Sequence, residues 1–170
     1  MSELGLKKIT LDTPLGTMIG CFSDMAVRGL WFAGQKYFPR QEPSWPEDDR
    51  HPLGQALKNW LREYFAGHNP PVDLPLEPGG TPFQQAVWQE LRQISYGCSA
   101  SYGFIADTLA KRSGRGRLSA QAVGGAVGHN PLSVLIPCHR VLSSKGALHG
   151  YAGGLDRKEA LLRLESRTAA

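Results

Sequence analysis

Cysteine is scarce in this chain of 170 residues, and its three copies, Cys21, Cys98 and Cys138, lie far apart with no CxxC or CxxH spacing. That excludes a disulfide framework and a zinc knuckle, and leaves reduced thiols with no metal expected. Long hydrophobic runs are absent too: nothing approaches the roughly 20 apolar residues that span a bilayer. The opening MSELGLKKIT has no apolar leader core, so a cytoplasmic protein without membrane contact is expected. No internal repeat or low-complexity tract occurs. Acidic residues, finally, are few in the second half. Residues 79–170 carry 11 Lys and Arg against 5 Asp and Glu, a net +6, whereas residues 1–78 carry 8 against 10, a net −2.

What is present is an ordinary globular composition, 41% hydrophobic and 20% charged, enough for one sizeable domain or two small ones. The charge asymmetry points to a polyanion partner for the basic half, although a solvated charged surface reads the same way on charge alone.

The first half alternates as short strands, KKITL, TMIGCF and AVRGLWF, separated by the turns TPLG and SDM, which predicts a small antiparallel sheet. An exposed loop, PRQEPSWPEDDRHP, follows. Leu53, Leu57, Trp60, Leu61, Tyr64 and Phe65 then recur at helical spacing until Gly67, predicting a helix over the sheet. HNPPVDLPLEPGG holds four prolines and two glycines in thirteen residues. That is too much punctuation for regular structure, and the domain boundary is set there, giving domains of 1–78 and 79–170.

The second half is helical. Thr81, Pro82 and Gln84 form a capping-box start, with Phe83, Val87, Leu91 and Ile94 as its buried stripe. A short helix follows SASY, carrying Ile105 and Leu109. After the basic loop KRSGRGRL comes the helix SAQAVGGAVGHN, with Val123 and Val127 inward. A last helix opens at Asp156 with Glu159 three residues on and packs Leu161, Leu162 and Leu164. Gly124 and Gly125 each cost a helix about 1 kcal/mol relative to alanine, so something must come close to that backbone, either another helix or a ligand. The pair of short helices also resembles a helix-turn-helix.

One pair stands out as chemistry. Leu132, Val134, Leu135 and Ile136 predict a buried strand, ended by Pro137, and Cys138 and His139 follow at once. An isolated Cys–His pair is more often structural than catalytic, but a thiol where regular structure ends sits at a pocket edge. Nucleophilic attack needs the thiolate, which a nearby base produces. Side chains of neighbouring strand residues point apart, so His139 needs a bridging water or a turn to reach Cys138. Glu165 is one of several carboxylates that could orient the histidine. Trp31, Trp60 and Trp88 read as core, His51, His68 and His149 as surface, and Cys21 and Cys98 as small buried side chains.

The runs GTPFQQAVWQELRQI, SYGFIADTLA, NPLSVLIPCHRV and GYAGGLDRKEALLRLE closely resemble the methylated-DNA–protein-cysteine methyltransferases, the O6-alkylguanine-DNA alkyltransferases. The likeness covers about Gly79 to Glu165 and is strongest in PCHR. It implies an α+β protein: a small RNase H-like N-terminal domain, matched in layout only, and a C-terminal, mostly helical domain with a winged-helix-like helix-turn-helix. It implies that Cys138 takes the alkyl group from O6 of guanine, with O4 of thymine as an alternative, in double-stranded DNA. His139 would be the base acting through a water, Glu165 its orienter, Asn130 the support of the active-site turn, and Tyr102 the donor toward the leaving guanine. The backbones of Cys138 and Val141 would read the base, with Pro137, Ser144, Tyr151, Ala152 and Gly153 around the pocket. Gln121, Ala122, Gly124, Arg112, Arg115, Arg117 and Arg140 would meet DNA. The thioether product is stable, so a monomer would react once, without a cofactor.

Two departures from the family pattern stand out. Gln121 occupies the position before AVGGA where the family usually has an arginine, and the loop KRSGRGRL is longer. The first leaves room for an alkyltransferase-like protein that recognises lesions without transfer, though such relatives lack the acceptor cysteine. A Cys–His hydrolase is disfavoured by the adjacency of the pair, and a helix-turn-helix transcription factor would leave Cys138 without a purpose.

Overall fold

A computed structural model describes residues 5–114 and 116–169, and within it the chain divides into two compact units. The first holds residues up to Gly79 together with Pro131–Leu135; the second holds Gly80–Asn130 and Ile136 onward. It is a mixed α/β protein with five α-helices and two small sheets among the described residues.

In the first unit, β1 (Lys7–Thr13), β2 (Gly16–Phe22) and β3 (Val27–Phe32) form an antiparallel meander. Ile9 and Leu11 alternate inward along β1, and almost all of β2 and β3 is buried. Helix α1 (Pro52–Phe65) buries Leu57, Trp60, Leu61 and Tyr64, the stripe that its apolar spacing predicts. It comes so close to β2 that a Cβ on Gly20 would stand 2.5 Å from Leu57 Cδ2, which accounts for glycine in mid-strand. His51, expected on the surface, instead caps α1: its Nδ1 accepts from the Leu53 amide at 3.1 Å. The Pro-rich linker is not a free strand of chain. Val27 donates to the Pro75 carbonyl at 2.8 Å and accepts from Glu77 at 2.9 Å, while Trp60 Nε1 donates to the Pro71 carbonyl at 3.2 Å.

In the second unit α2 (Pro82–Leu91) opens with both halves of the capping box, Gln84 N to Thr81 Oγ1 at 3.1 Å and Thr81 N to Gln84 Oε1 at 3.0 Å. Its buried face is Val87, Trp88, Glu90 and Leu91; Phe83 and Ile94, expected there, are only half-buried. α3 (Tyr102–Ser113) is capped by Ser101 and ends at Gly114 in the left-handed conformation, and α4 (Ala120–Gly128) is capped by Ser119. Trp88 Nε1 donates to the Ala126 carbonyl at 2.8 Å, tying α2 to α4. β4 (Ala100–Ser101) and β5 (Val141–Leu142) pair in parallel. α5 (Leu155–Thr168) starts two residues before expected. Gly154 is its N-cap and has no side chain to build a capping box, while Glu159 turns outward to Arg163 at 2.7 Å.

The predicted strand before Cys138 does not form. Leu132–Ile136 is buried as expected, but it forms isolated bridges, among them Leu132 with Leu30, and turns sharply at Val134, whose φ of 71° is left-handed. A β-branched residue there is unfavourable and persists only where its surroundings over-determine it.

Candidate active site

The chain after this turn builds the site. Cys138–Arg140 is a single turn of 3-10 helix, not a strand end, so consecutive side chains diverge by about 120° rather than alternating. The turn is fastened at both ends: Asn130, itself buried, donates Nδ2 to the Ile136 carbonyl at 2.8 Å, and Arg140 N donates to the Pro137 carbonyl at 3.0 Å.

Cys138 is 5% exposed. Burial pushes its thiol above the ordinary range, while hydrogen bonding from Asn130 and Tyr151, the Lys158 charge and its own backbone pull the other way. At neutral pH the group is therefore a thiol that must lose a proton before it can attack. The other cysteines differ. Cys21 lies in an apolar cluster with Trp31 and Trp45, where burial raises its thiol to about 12, and Cys98, expected buried, is exposed.

His139 is completely buried and its Nε2 lies 2.6 Å from Glu165 Oε2. A carboxylate only accepts, so Nε2 carries the hydrogen and Nδ1 keeps its lone pair. Nδ1 is buried without a hydrogen-bond partner among the described residues, the state a proton acceptor requires. Burial holds the His139 pKa below its usual value; Glu165 works against that, Arg140 and Lys158 with it. Glu165, 1% exposed, also receives Arg140 Nε at 2.7 Å, Arg140 Nη2 at 3.1 Å and the Gly97 amide at 3.3 Å.

Tyr102, the first residue of α3, donates its hydroxyl to the His149 carbonyl at 2.8 Å. Burial, and after it the nearby Cys138 charge, raises its phenol pKa, keeping it a donor. Lys158 was not legible as a site residue, yet it is 0% exposed. Its ammonium donates to the Gly150 carbonyl at 3.0 Å and the His149 carbonyl at 3.4 Å and stands 5.9 Å from the centre of the Tyr102 ring. Burial lowers its pKa from 10.5 to about 8, with Cys138 opposing. The signal was there: Lys158, Leu161 and Glu165 occupy i, i+3 and i+7 of α5, its buried stripe, and two charges on such a stripe mark a polar site.

The remaining expected residues divide. Tyr151 and Ala152 are half-buried and Gly153 and Pro137 buried, whereas Ser144 is exposed. The Val141 amide, expected to read a base, donates to the Cys138 carbonyl. Gln121, Ala122 and Arg117 are exposed and Gly124 half-buried. A Cβ on Gly124 would lie 3.8 Å from the Tyr102 ring, an ordinary contact, and one on Gly125 would meet nothing within 4 Å. Packing within the chain therefore does not require either glycine. Arg112 pairs with the buried Glu90, and Arg115 lies outside the described residues. Arg140, expected at DNA, is turned inward. Its side chain is 11% exposed, and its third donor group, Nη1, is taken by the Ile94 carbonyl at 2.6 Å. The charge of a surface contact is here part of the buried network.

The comparisons with known proteins bear on the same residues. Residues 82–167 match the family model described as 6-O-methylguanine DNA methyltransferase, DNA binding domain. A methylated-DNA–protein-cysteine methyltransferase of Mycolicibacterium paratuberculosis is 40% identical over 93% of this chain and 91% of its own length, and one of Haemophilus influenzae is 39% identical over 90% and 82%. Among solved structures, an O6-methylguanine methyltransferase of Mycobacterium tuberculosis superposes with a TM-score of 0.85 at 38% identity, covering 97% of this chain and 95% of that one. The OGT of the same organism in complex with DNA gives 0.83 at 37%, covering 95% and 94%. With a buried thiol, imidazole and carboxylate in the matched region, and likeness running through both units, the chain belongs to the methylated-DNA–protein-cysteine methyltransferase family.

Proposed function

We propose that this protein repairs DNA by moving the alkyl group of O6-alkylguanine onto Cys138. The observation that carries the reading is the buried line from Glu165 through the His139 ring to an Nδ1 without a partner among the described residues, on the residue that follows the buried Cys138 thiol in the chain. The thiol proton passes to His139 through a bridging water, and the thiolate attacks the alkyl carbon in line. The S–C bond forms as the C–O6 bond breaks, and guanine leaves with a proton supplied from Tyr102, which the His139 proton finally replaces. Asn130 holds the turn that aims the sulfur. The product is a thioether with no carbonyl for water to attack, so each molecule acts once, and no step calls for a cofactor.

A target atom inside a duplex is out of reach, so the nucleotide must turn out of the stack, at a cost of a few kcal/mol. We read α3 and α4 as a winged-helix-like helix-turn-helix whose α4 enters the minor groove, where the bare backbone at Gly124 and Gly125 permits close approach. Gln121 would fill the gap left by the flipped base, and phosphate contacts from the basic half, Arg117 among them, would supply most of the affinity. The meander with α1 is read as an RNase H-like domain, and the protein as a cytoplasmic monomer acting on chromosomal DNA.

The test is intact-protein mass after incubation with duplex DNA carrying one O6-methylguanine. One stable methyl addition is expected, absent in Cys138→Ala; tight lesion binding with no addition would favour the recognition-only reading.

A further inference from the structure

His139 presents a problem in electrostatics. A histidine hydrogen-bonded at 2.6 Å to a buried carboxylate is ordinarily drawn toward the imidazolium form, because the opposite charge favours it. An imidazolium has no lone pair and cannot accept the thiol proton. The site therefore needs Glu165 to orient the ring without charging it.

We propose that Arg140 is the positioning residue that makes this possible: by holding both oxygens of Glu165, it pairs the carboxylate charge and leaves His139 a neutral, oriented base. The inference rests on the proposed transfer reaction. Arg140 Nε and Nη2 grip Oε1 and Oε2 in the two-pronged geometry that only a guanidinium offers. Nη1 on the Ile94 carbonyl and the Tyr96 ring 5.7 Å from the guanidinium carbon fix its plane. Arg140 and His139 are sequence neighbours, and the 3-10 turn lets both reach one carboxylate. The same geometry answers why the arginine that follows Cys138 and His139 faces inward, although a DNA-binding protein could use it outside.

The charged and titratable groups around His139 are few. Glu165 and Lys158 face it from α5, and Arg140 and Cys138 flank it on its own turn. Of these Glu165 favours the imidazolium, so removing Arg140 leaves that pull opposed by burial and, among the charged groups named here, by Lys158 alone.

The test uses the full chain with Arg140→Gln and Arg140→Lys, measuring the single-turnover rate of methyl transfer from O6-methylguanine duplex against pH, with the His139 imidazole followed by NMR. In Arg140→Gln the His139 midpoint and the acid limb of the rate should rise together by about one pH unit, so that the rate below both midpoints falls about tenfold. Arg140→Lys keeps the charge but not the two-pronged grip. Its rate should fall at every pH with the acid limb in place. A folded Arg140→Gln whose His139 titration and rate profile stay put, even with a uniformly lower rate, reduces Arg140 to a structural clamp and overturns the proposal. If Arg140→Gln does not fold, Arg140→Lys decides: an acid limb displaced by a full unit, or a rate unchanged at all pH, contradicts it. Absence of methyl transfer in the unmodified protein would instead remove the reaction, while the NMR titration would still judge the role of Arg140.

Discussion

The two units differ most in what they bury. Among the described residues the buried polar side chains of the first unit are Gln35 and Ser133, whereas the second buries Glu90, Asn130, His139, Lys158 and Glu165. Gln35 does a local job, its Oε1 accepting from the Phe32 amide at 2.8 Å. An uncompensated buried charge costs several kcal/mol, and replacing a paired one with apolar groups is often neutral or stabilising. The second unit thus carries charges that folding alone does not ask for. Glu90 pairs with Arg112, but Asn130 and Lys158 act on Cys138 and Glu165 bonds the adjacent His139, so the use of those groups has to be sought in chemistry.

The largest break of this contrast lies in the two buried thiols. Cys138→Ala should abolish methyl transfer, read as protein mass, while the fold survives, since losing one small side chain costs about 1 kcal/mol. Cys21→Ala, made in the first unit among Trp31 and Trp45, should cost a similar amount of stability and leave transfer intact. Loss of transfer in both would mean that the first unit shares in the chemistry.

Lys158 sharpens the contrast through pH. Its folded pKa, about 8, lies below its ordinary 10.5, so between these values the unfolded chain holds a proton that the folded one has lost. The Lys158 contribution to stability should therefore rise across this window, by at most about 1.4 kcal/mol per pH unit. Below pH 8 both states are protonated and the slope vanishes, leaving the full cost of a buried cation in place. Burial raises the Cys21 and Cys138 thiols, which opposes this rise at the alkaline end. Denaturant titrations of the full chain at pH 7.5 to 10.5, chosen to bracket about 8 and about 10.5, are therefore read as a difference: the natural protein should have a more positive slope than Lys158→Met. Equal slopes in the two would show that Lys158 keeps its ordinary titration.

The sequence exposes some of this and hides the rest for physical reasons. Elements fixed by local chemistry are readable: the Thr81–Gln84 box and the apolar stripe of α1 need only near neighbours. Leu132–Ile136 is buried as its composition demands, but its conformation is set by tertiary contacts such as Leu30 with Pro131 at 2.8 Å, and no local pattern announces a left-handed valine. Cys138 and His139 stand out at the end of an apolar run and Glu165 as one of several carboxylates, but only the resemblance assigns them joint roles; α5 and the 3-10 turn bring His139 and Glu165 together. Arg140 points the wrong way for a charge-based reading, because charge says nothing about which carboxylate 25 residues on will take it. Cys98 escapes for the opposite reason: its exposure comes from the loop after α2, which apolar counting cannot see.

The smallest expected effect is the most specific to α4. Alanine at Gly124 or Gly125 meets at worst an ordinary contact with Tyr102, so each substitution should stabilise the helix by up to about 1 kcal/mol. If the bare backbone serves close approach to the minor groove, the same methyl groups should weaken binding to duplex DNA, by about tenfold for about 1.4 kcal/mol. Gln121→Arg should act in the opposite sense, raising affinity at low salt and steepening its salt dependence, because it adds a cation to the exposed start of the same helix. Thermal denaturation and DNA titration at matched salt read both properties on one set of proteins. Stabilised alanine variants that bind as tightly as the natural protein would free α4 of its groove-facing role. Destabilised ones would return the glycines to packing, and equal binding by Gln121→Arg would mean that this position stays clear of the phosphates.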